Sequence, residues 1–93
     1  MLTIIEEETE DTKKIKEMFY KLLEEESENK EDYIIKITIR VEIKEIHILI
    51  RNTKTRKYDM LTTEVGNIGP ILVRMRLIEI IRKIRIPYPI IEK

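Results

Sequence analysis

Residues 33–51 read Y-I-I-K-I-T-I-R-V-E-I-K-E-I-H-I-L-I-R, and no other stretch constrains the fold as tightly. Ile35, Ile37, Ile39, Val41 and Ile43 alternate with Lys36, Thr38, Arg40 and Glu42. Successive strand side chains point to opposite faces, so this alternation of β-branched and polar residues marks a strand with one dry face. After Lys44-Glu45 the phase slips by one, and Ile46, Ile48 and Ile50 become the apolar set. As a single strand these 19 residues would span about 63 Å, too long for a chain of 93 residues. The chain must therefore turn near 44–45. A tight hairpin there pairs Ile43 with Ile46, Val41 with Ile48 and Ile39 with Ile50, all on one face. Lys-Glu is poor chemistry for a two-residue turn, which favours Asn-Gly and other Gly pairs. A bulged corner is the alternative.

The next turn is N-T-K-T-R, between Arg51 and Lys57. Read as a five-residue loop of turn formers, it sets Arg51 opposite Lys57, so Ile50 meets Tyr58, Ile48 meets Met60 and Ile46 meets Thr62. The two registers then give three rows on the dry face: Ile39–Ile50–Tyr58, Val41–Ile48–Met60 and Ile43–Ile46–Thr62. The reverse face reads Thr38–Arg51–Lys57, Arg40–Leu49–Asp59 and Glu42–His47–Leu61. With Tyr58 turned inward, this register offers no platform on which bases could stack.

Helices flank the strands. Residues 12–27 carry Ile15, Met18, Phe19, Leu22 and Leu23 at helical spacing, with Asp11 or Thr12 placed to cap the start. G-N-I-G-P at 66–70 breaks the third strand, and Pro70 suits the first turn of a helix that runs to about residue 85 and stops before Pro87. On that helix Val73, Leu77, Ile80 and Ile84 share an arc of roughly 60° that faces the sheet. Ile71, Met75 and Ile78 form a second stripe. A helix with two apolar sides needs a second cover, which the tail I-P-Y-P-I-I, with Tyr88 and Ile90, or a second subunit would supply. The expected fold is a single α+β domain over residues 1–93: an antiparallel meander of three strands, or four if residues 2–5 form an edge strand. Both helices lie on one face, in the order (β)-α-β-β-β-α.

The composition excludes several function classes. There is no cysteine and only one histidine, which leaves no thiolate chemistry and no multi-histidine metal site. No apolar run approaches the about 18 residues of a membrane span, and the start M-L-T-I-I-E-E-E does not resemble a signal peptide. An intracellular, cytoplasmic protein without cofactor is the expectation. Charged residues make up 39% of the chain, a mixed-sign Lys, Glu and Arg pattern that suits a hyperthermophile or an archaeal virus.

The net charge of zero hides a segregation: residues 1–32 carry 12 acids and 5 bases, and residues 33–93 carry 6 acids and 13 bases. Either the acidic front pairs with the basic back, or the back presents a basic surface to DNA or RNA. For the second case the expected contacts are Arg51, Lys54, Arg56 and Lys57 on the hairpin tip and Arg74, Arg82 and Arg85 on the second helix, all toward phosphates. The alternative is a homodimeric interaction module, a small regulator or inhibitor of an archaeal virus or mobile element, using Ile71, Met75, Ile78, Tyr88 and Ile90. E-I-K at 42–44 matches the Glu-x-Lys element of metal-dependent nucleases, a tripeptide that chance supplies easily in so Glu-, Ile- and Lys-rich a chain. No enzymatic activity is expected. The α-β-β-β-α order resembles the double-stranded-RNA-binding domain in topology and length. Where that family opens its second helix with lysines, this chain reads P-I-L-V-R-M-R from Pro70 to Arg76, so the likeness extends to the arrangement of elements alone.

Overall fold

The structure, a computed structural model, describes residues 2–66 and 69–88. It contains β1 (Leu2–Ile5), α1 (Glu10–Glu25), a 3-10 turn (Lys30–Asp32), β2 (Tyr33–Arg40), β3 (Glu45–Asn52), β4 (Tyr58–Glu64) and α2 (Pro70–Ile84). The strands form one sheet in the order β1-β2-β3-β4. The β2, β3 and β4 pairings are antiparallel, as expected, while β1 is a fourth strand running parallel to β2. A parallel neighbour requires a crossover connection, and α1 provides it.

Helix α1 begins two residues before the expected point. Thr9, not Asp11 or Thr12, is the N-cap. Thr12 N–H donates to Thr9 Oγ1 at 3.2 Å and Thr9 N–H donates to Thr12 Oγ1 at 2.8 Å, a reciprocal pair that satisfies two otherwise free amides. From α1, Ile15, Phe19, Leu22 and Leu23 are buried, and α2 contributes Val73, Leu77, Ile80, Ile81 and Ile84. These meet Tyr33, Ile35, Ile37, Ile46, Ile48, Ile50 and Leu61 in one core. The opposite sheet face carries no helix among the described residues.

The two hairpins correct the expected registers in different ways. β2 pairs with β3 as Ile35–Ile50, Ile37–Ile48 and Ile39–Ile46, four residues away from the expected alignment. The chain leaves the sheet at Arg40 and turns through Val41–Lys44, which lifts Val41 and Ile43 into solvent at 68% and 60% exposure. A two-residue Lys-Glu turn would need positive φ at both residues in type I′, or at Lys44 in type II′ where glycine is favoured. The four-residue turn needs one, Lys44 at φ 53°. Because the shift is even, the isoleucines of β2 and β3 keep their common face.

The β3–β4 register differs by one residue, and the faces of β4 invert. Ile48 opposes Leu61, Ile50 opposes Asp59 and Arg51 opposes Tyr58. Leu61 enters the core, while Tyr58 and Met60 point outward at 66% and 57% exposure. The turn has four residues and not the expected five. Asn52 is buried, and its Oδ1 accepts from Lys54 N–H and Thr55 N–H, both at 2.9 Å, while its backbone N–H donates to the Lys57 carbonyl at 2.9 Å. The hairpin thus closes at Asn52 and Lys57, leaving Thr53–Arg56 as the turn.

Candidate nucleic-acid interface

The 53–56 turn is tied to two elements outside its own hairpin, the 3-10 turn and α2. Thr53 donates to the Asp32 carbonyl through its backbone N–H at 2.8 Å and through Oγ1 at 3.2 Å. Thr55 Oγ1 donates to the Ile84 carbonyl at the end of α2. The neighbouring wall is Tyr33, whose ring meets Phe19 edge-on at 6.0 Å and whose hydroxyl donates to Glu28. Burial and the adjacent Glu28 carboxylate push the Tyr33 phenol well above the usual tyrosine range. The tip is thus held by side-chain bonds to the backbone at both ends.

Four cations project from this platform. Arg51, Lys54 and Arg56 are exposed and Lys57 is half-buried. None of the four lies within ion-pair distance of a carboxylate among the described residues. Lys57 instead holds its Nζ 4.6 Å from the centre of the Tyr88 ring, a cation–π contact.

The basic helix differs. Arg74 pairs with Glu25 at 2.6 Å, Arg76 with Glu79 at 3.0 Å and Lys83 with Asp59 at 3.1 Å. Arg82 bonds Glu26, and Arg85 reaches the same carboxylate at 3.9 Å. The Arg82 hydrogen bond, assisted by the charges of Arg82, Arg85 and Arg74, holds the Glu26 carboxyl below the usual range. At this seam the acidic front of the chain meets its basic back. The tip cations stay outside it.

The seven expected contact residues therefore fall into two groups. Arg51, Lys54, Arg56 and Lys57 gather at the tip. Arg85 joins them: it lines a cleft of about 540 Å³ with Lys54, Thr55, Asn52, Glu28 and Asp32. Arg74 lies 11 residues before Arg85, about 16 Å along the helix axis, and faces α1. Of the expected interface residues, Ile71 and Met75 are exposed at 74% and 53%, Ile78 packs partly against the core, and Tyr88 sits at the far end of α2 beside Lys57. They do not form one stripe. Ile90 lies outside the described residues.

A second cleft at this end, about 380 Å³, is lined by Lys57, Tyr58, Lys83, Ile84 and Tyr88. Sequence reasoning did not find it, because its walls come from the edge strand, the end of α2 and the segment beyond. Its one legible signal was Asn52: an Asn that takes the amides two and three residues onward closes the hairpin around itself and sends Tyr58 outward.

The bare sheet face continues from the tip. Its cross-strand rows are Ile34–Arg51–Tyr58, Lys36–Leu49–Met60, Thr38–His47–Thr62 and Arg40–Glu45–Glu64. His47 points outward as expected and lies 3.2 Å from Glu45. Glu42 of E-I-K sits in the exposed 41–44 turn, off the strands, and among the described residues no three His, Asp or Glu side chains gather as a metal-binding group. No helix among the described residues is long and apolar enough to cross a membrane. No family profile, curated protein or solved structure matches the chain.

Proposed function

We propose that the protein is a non-enzymatic nucleic-acid-binding protein whose contact surface is the basic tip. One observation carries this reading: four cations stand on or beside a turn tethered to the rest of the fold, two of them within it, without carboxylate partners among the described residues, while every described cation of α2 is paired. Charges already neutralised at a seam gain little from a phosphate, because the existing pair must first be broken. Unpaired charges on an ordered turn lose little entropy on binding and release condensed counterions from the nucleic acid. Arg85 lines a cleft with Lys54 but already reaches Glu26 at 3.9 Å, so it too belongs to the seam. Arg74 and Arg82 contribute through the seam and not by touching phosphates.

Binding to labelled DNA and RNA across a salt series tests this. Affinity should fall steeply with salt, and changing Arg51, Lys54, Arg56 and Lys57 to Gln should flatten the log–log slope by about 0.7–0.9 for each phosphate that the variant no longer neutralises. Absence of binding at low salt, or an unchanged slope in the fourfold variant, would remove the reading.

A specific observation also favours a homodimeric interaction module. Ile71, Leu72 and Met75 lie together on the first half of α2, each more than half exposed. Sedimentation of the wild type and of Met75→Glu distinguishes the two: a dimer that disappears in the variant while nucleic-acid binding stays intact assigns this patch to self-association.

A further inference from the structure

Tyr58 and Tyr88 stand among the cations of the tip, and neither ring is used by the core. Tyr58 is 66% exposed and Tyr88 69%. Lys57 covers one face of the Tyr88 ring at 4.6 Å, and a tyrosine ring face left in water gains by stacking on another π-system. Together with Lys57, Lys83 and Ile84 the two rings line the cleft of about 380 Å³, near the lower end of the about 300–1,000 Å³ found for small-ligand sites. Its walls supply both halves of a nucleotide's chemistry: ring faces for a base and ammonium groups for its phosphates. Lys83 is engaged by Asp59 at 3.1 Å, while Lys57 has no carboxylate partner among the described residues.

We infer that this cleft takes an unpaired base of a single-stranded nucleic acid, stacked on Tyr58 and Tyr88, with the flanking phosphates on Lys57, Lys54 and Arg51. The inference rests on the tip being a nucleic-acid surface and names the form of nucleic acid it holds. Bases inside a duplex already stack on their neighbours, so a surface tyrosine has no free base face to meet. Bases in a single strand do, and they stack on aromatic side chains with little regard to sequence. The sheet continues the path. Arg51 stands directly across from Tyr58 on β3, and Lys36 and Arg40 are exposed on β2 beyond it, with Leu49 and Met60 between. A strand leaving the cleft over this bare face meets alternating charge and apolar surface.

The test compares a labelled oligothymidylate of about 12 nucleotides with a duplex of the same length at one low salt concentration, by fluorescence anisotropy. The wild type should prefer the single strand. Tyr58→Ala and Tyr88→Ala should each weaken single-strand binding about 5- to 150-fold, with the salt slope and duplex affinity unchanged. Tyr58→Phe should bind as the wild type does, because the ring and not the hydroxyl does the stacking. Thermal melts of the same variants confirm the fold, and the exposed Tyr58 makes its substitutions the safer pair. Equal affinity for both forms with no loss in either alanine variant, while the fourfold cation variant still loses binding, overturns the stacking inference and leaves the tip reading in place. No binding of either form by the wild type overturns both.

Discussion

The turn at 41–44 and the turn at 53–56 have the same length, and each places its last residue in the left-handed region, Lys44 at φ 53° and Arg56 at φ 64°. Their surroundings differ. The first carries Glu42 and Lys44, which cancel, and two exposed apolar residues, Val41 and Ile43. It touches the rest of the fold through the backbone, where Val65 N–H donates to the Lys44 carbonyl at 2.9 Å. In the second, Asn52, Thr53 and Thr55 add side-chain bonds, two of them to carbonyls of the 3-10 turn and of α2. One backbone design thus yields a turn tied, among the described residues, by backbone bonds to its own strands and Val65, and another also tied by side chains to the 3-10 turn and α2. Only the second displays a concentrated charge. An ordered array of like charges is costly to assemble and useful only where its geometry is kept, which is what the tethers provide.

The largest expected difference between the turns follows from removing the cap. Asn52→Ala frees the Lys54 and Thr55 amides and empties a buried position, at a cost of about 1–2 kcal/mol. Glu42→Ala in the other turn should stay within about 0.5 kcal/mol. Thermal melts compare them, and equal effects would mean that the tethers do not distinguish the turns. Next, Thr55→Val deletes the bond to the Ile84 carbonyl while keeping the shape, which should cost about 1 kcal/mol and loosen Arg56 and Lys57, so that nucleic-acid affinity falls although no charge is removed. Smaller still is relief of the left-handed residues. Lys44→Gly and Arg56→Gly should each add about 0.5 kcal/mol, the gain in backbone strain being partly offset by a freer unfolded chain. Only Arg56→Gly should weaken binding. A matching loss in Lys44→Gly would show that charge anywhere on the protein suffices.

The smallest effect concerns the seam that separates α2 from the tip. The Glu26 carboxyl is held below its ordinary range, first by the Arg82 hydrogen bond. A depressed carboxyl contributes stability above its unfolded-state pKa and loses it as the pH falls through the folded-state value. Acid titration of the melting temperature should therefore show the wild type slightly more stable than Glu26→Gln at neutral pH, with a steeper decline below about pH 4.5 that brings the two together in acid. Identical acid profiles would mean that the seam adds nothing measurable.

How much of this was legible beforehand varies with the element. The alternation from Ile35 to Ile50 announced two strands with a common dry face, and it survived an error of four residues in their pairing, because strand side chains repeat every two. The stripes of α1 and α2 were visible at helical spacing, and the order of elements followed. The third strand was ambiguous: Tyr58, Met60 and Leu61 offer apolar residues in both phases, and a one-residue slip inverts every side chain. The reading of N-T-K-T-R as a five-residue loop put Tyr58 and Met60 inside. The hydrogen bonds of Asn52 put Leu61 there instead.

The linear order of residues, then, determined the β-α-β-β-β-α plan, the isoleucine face and the clustering of four cations in and beside one turn, because each rests on local periodicity and turn chemistry. Only the folded chain decided which cations are neutralised. Glu25 and Glu26 meet Arg74, Arg82 and Arg85 across 49 or more positions of sequence, and no local pattern specifies that meeting. The same holds for Tyr58, Lys83 and Tyr88, which share a cleft because a single side-chain amide set the register of the last hairpin.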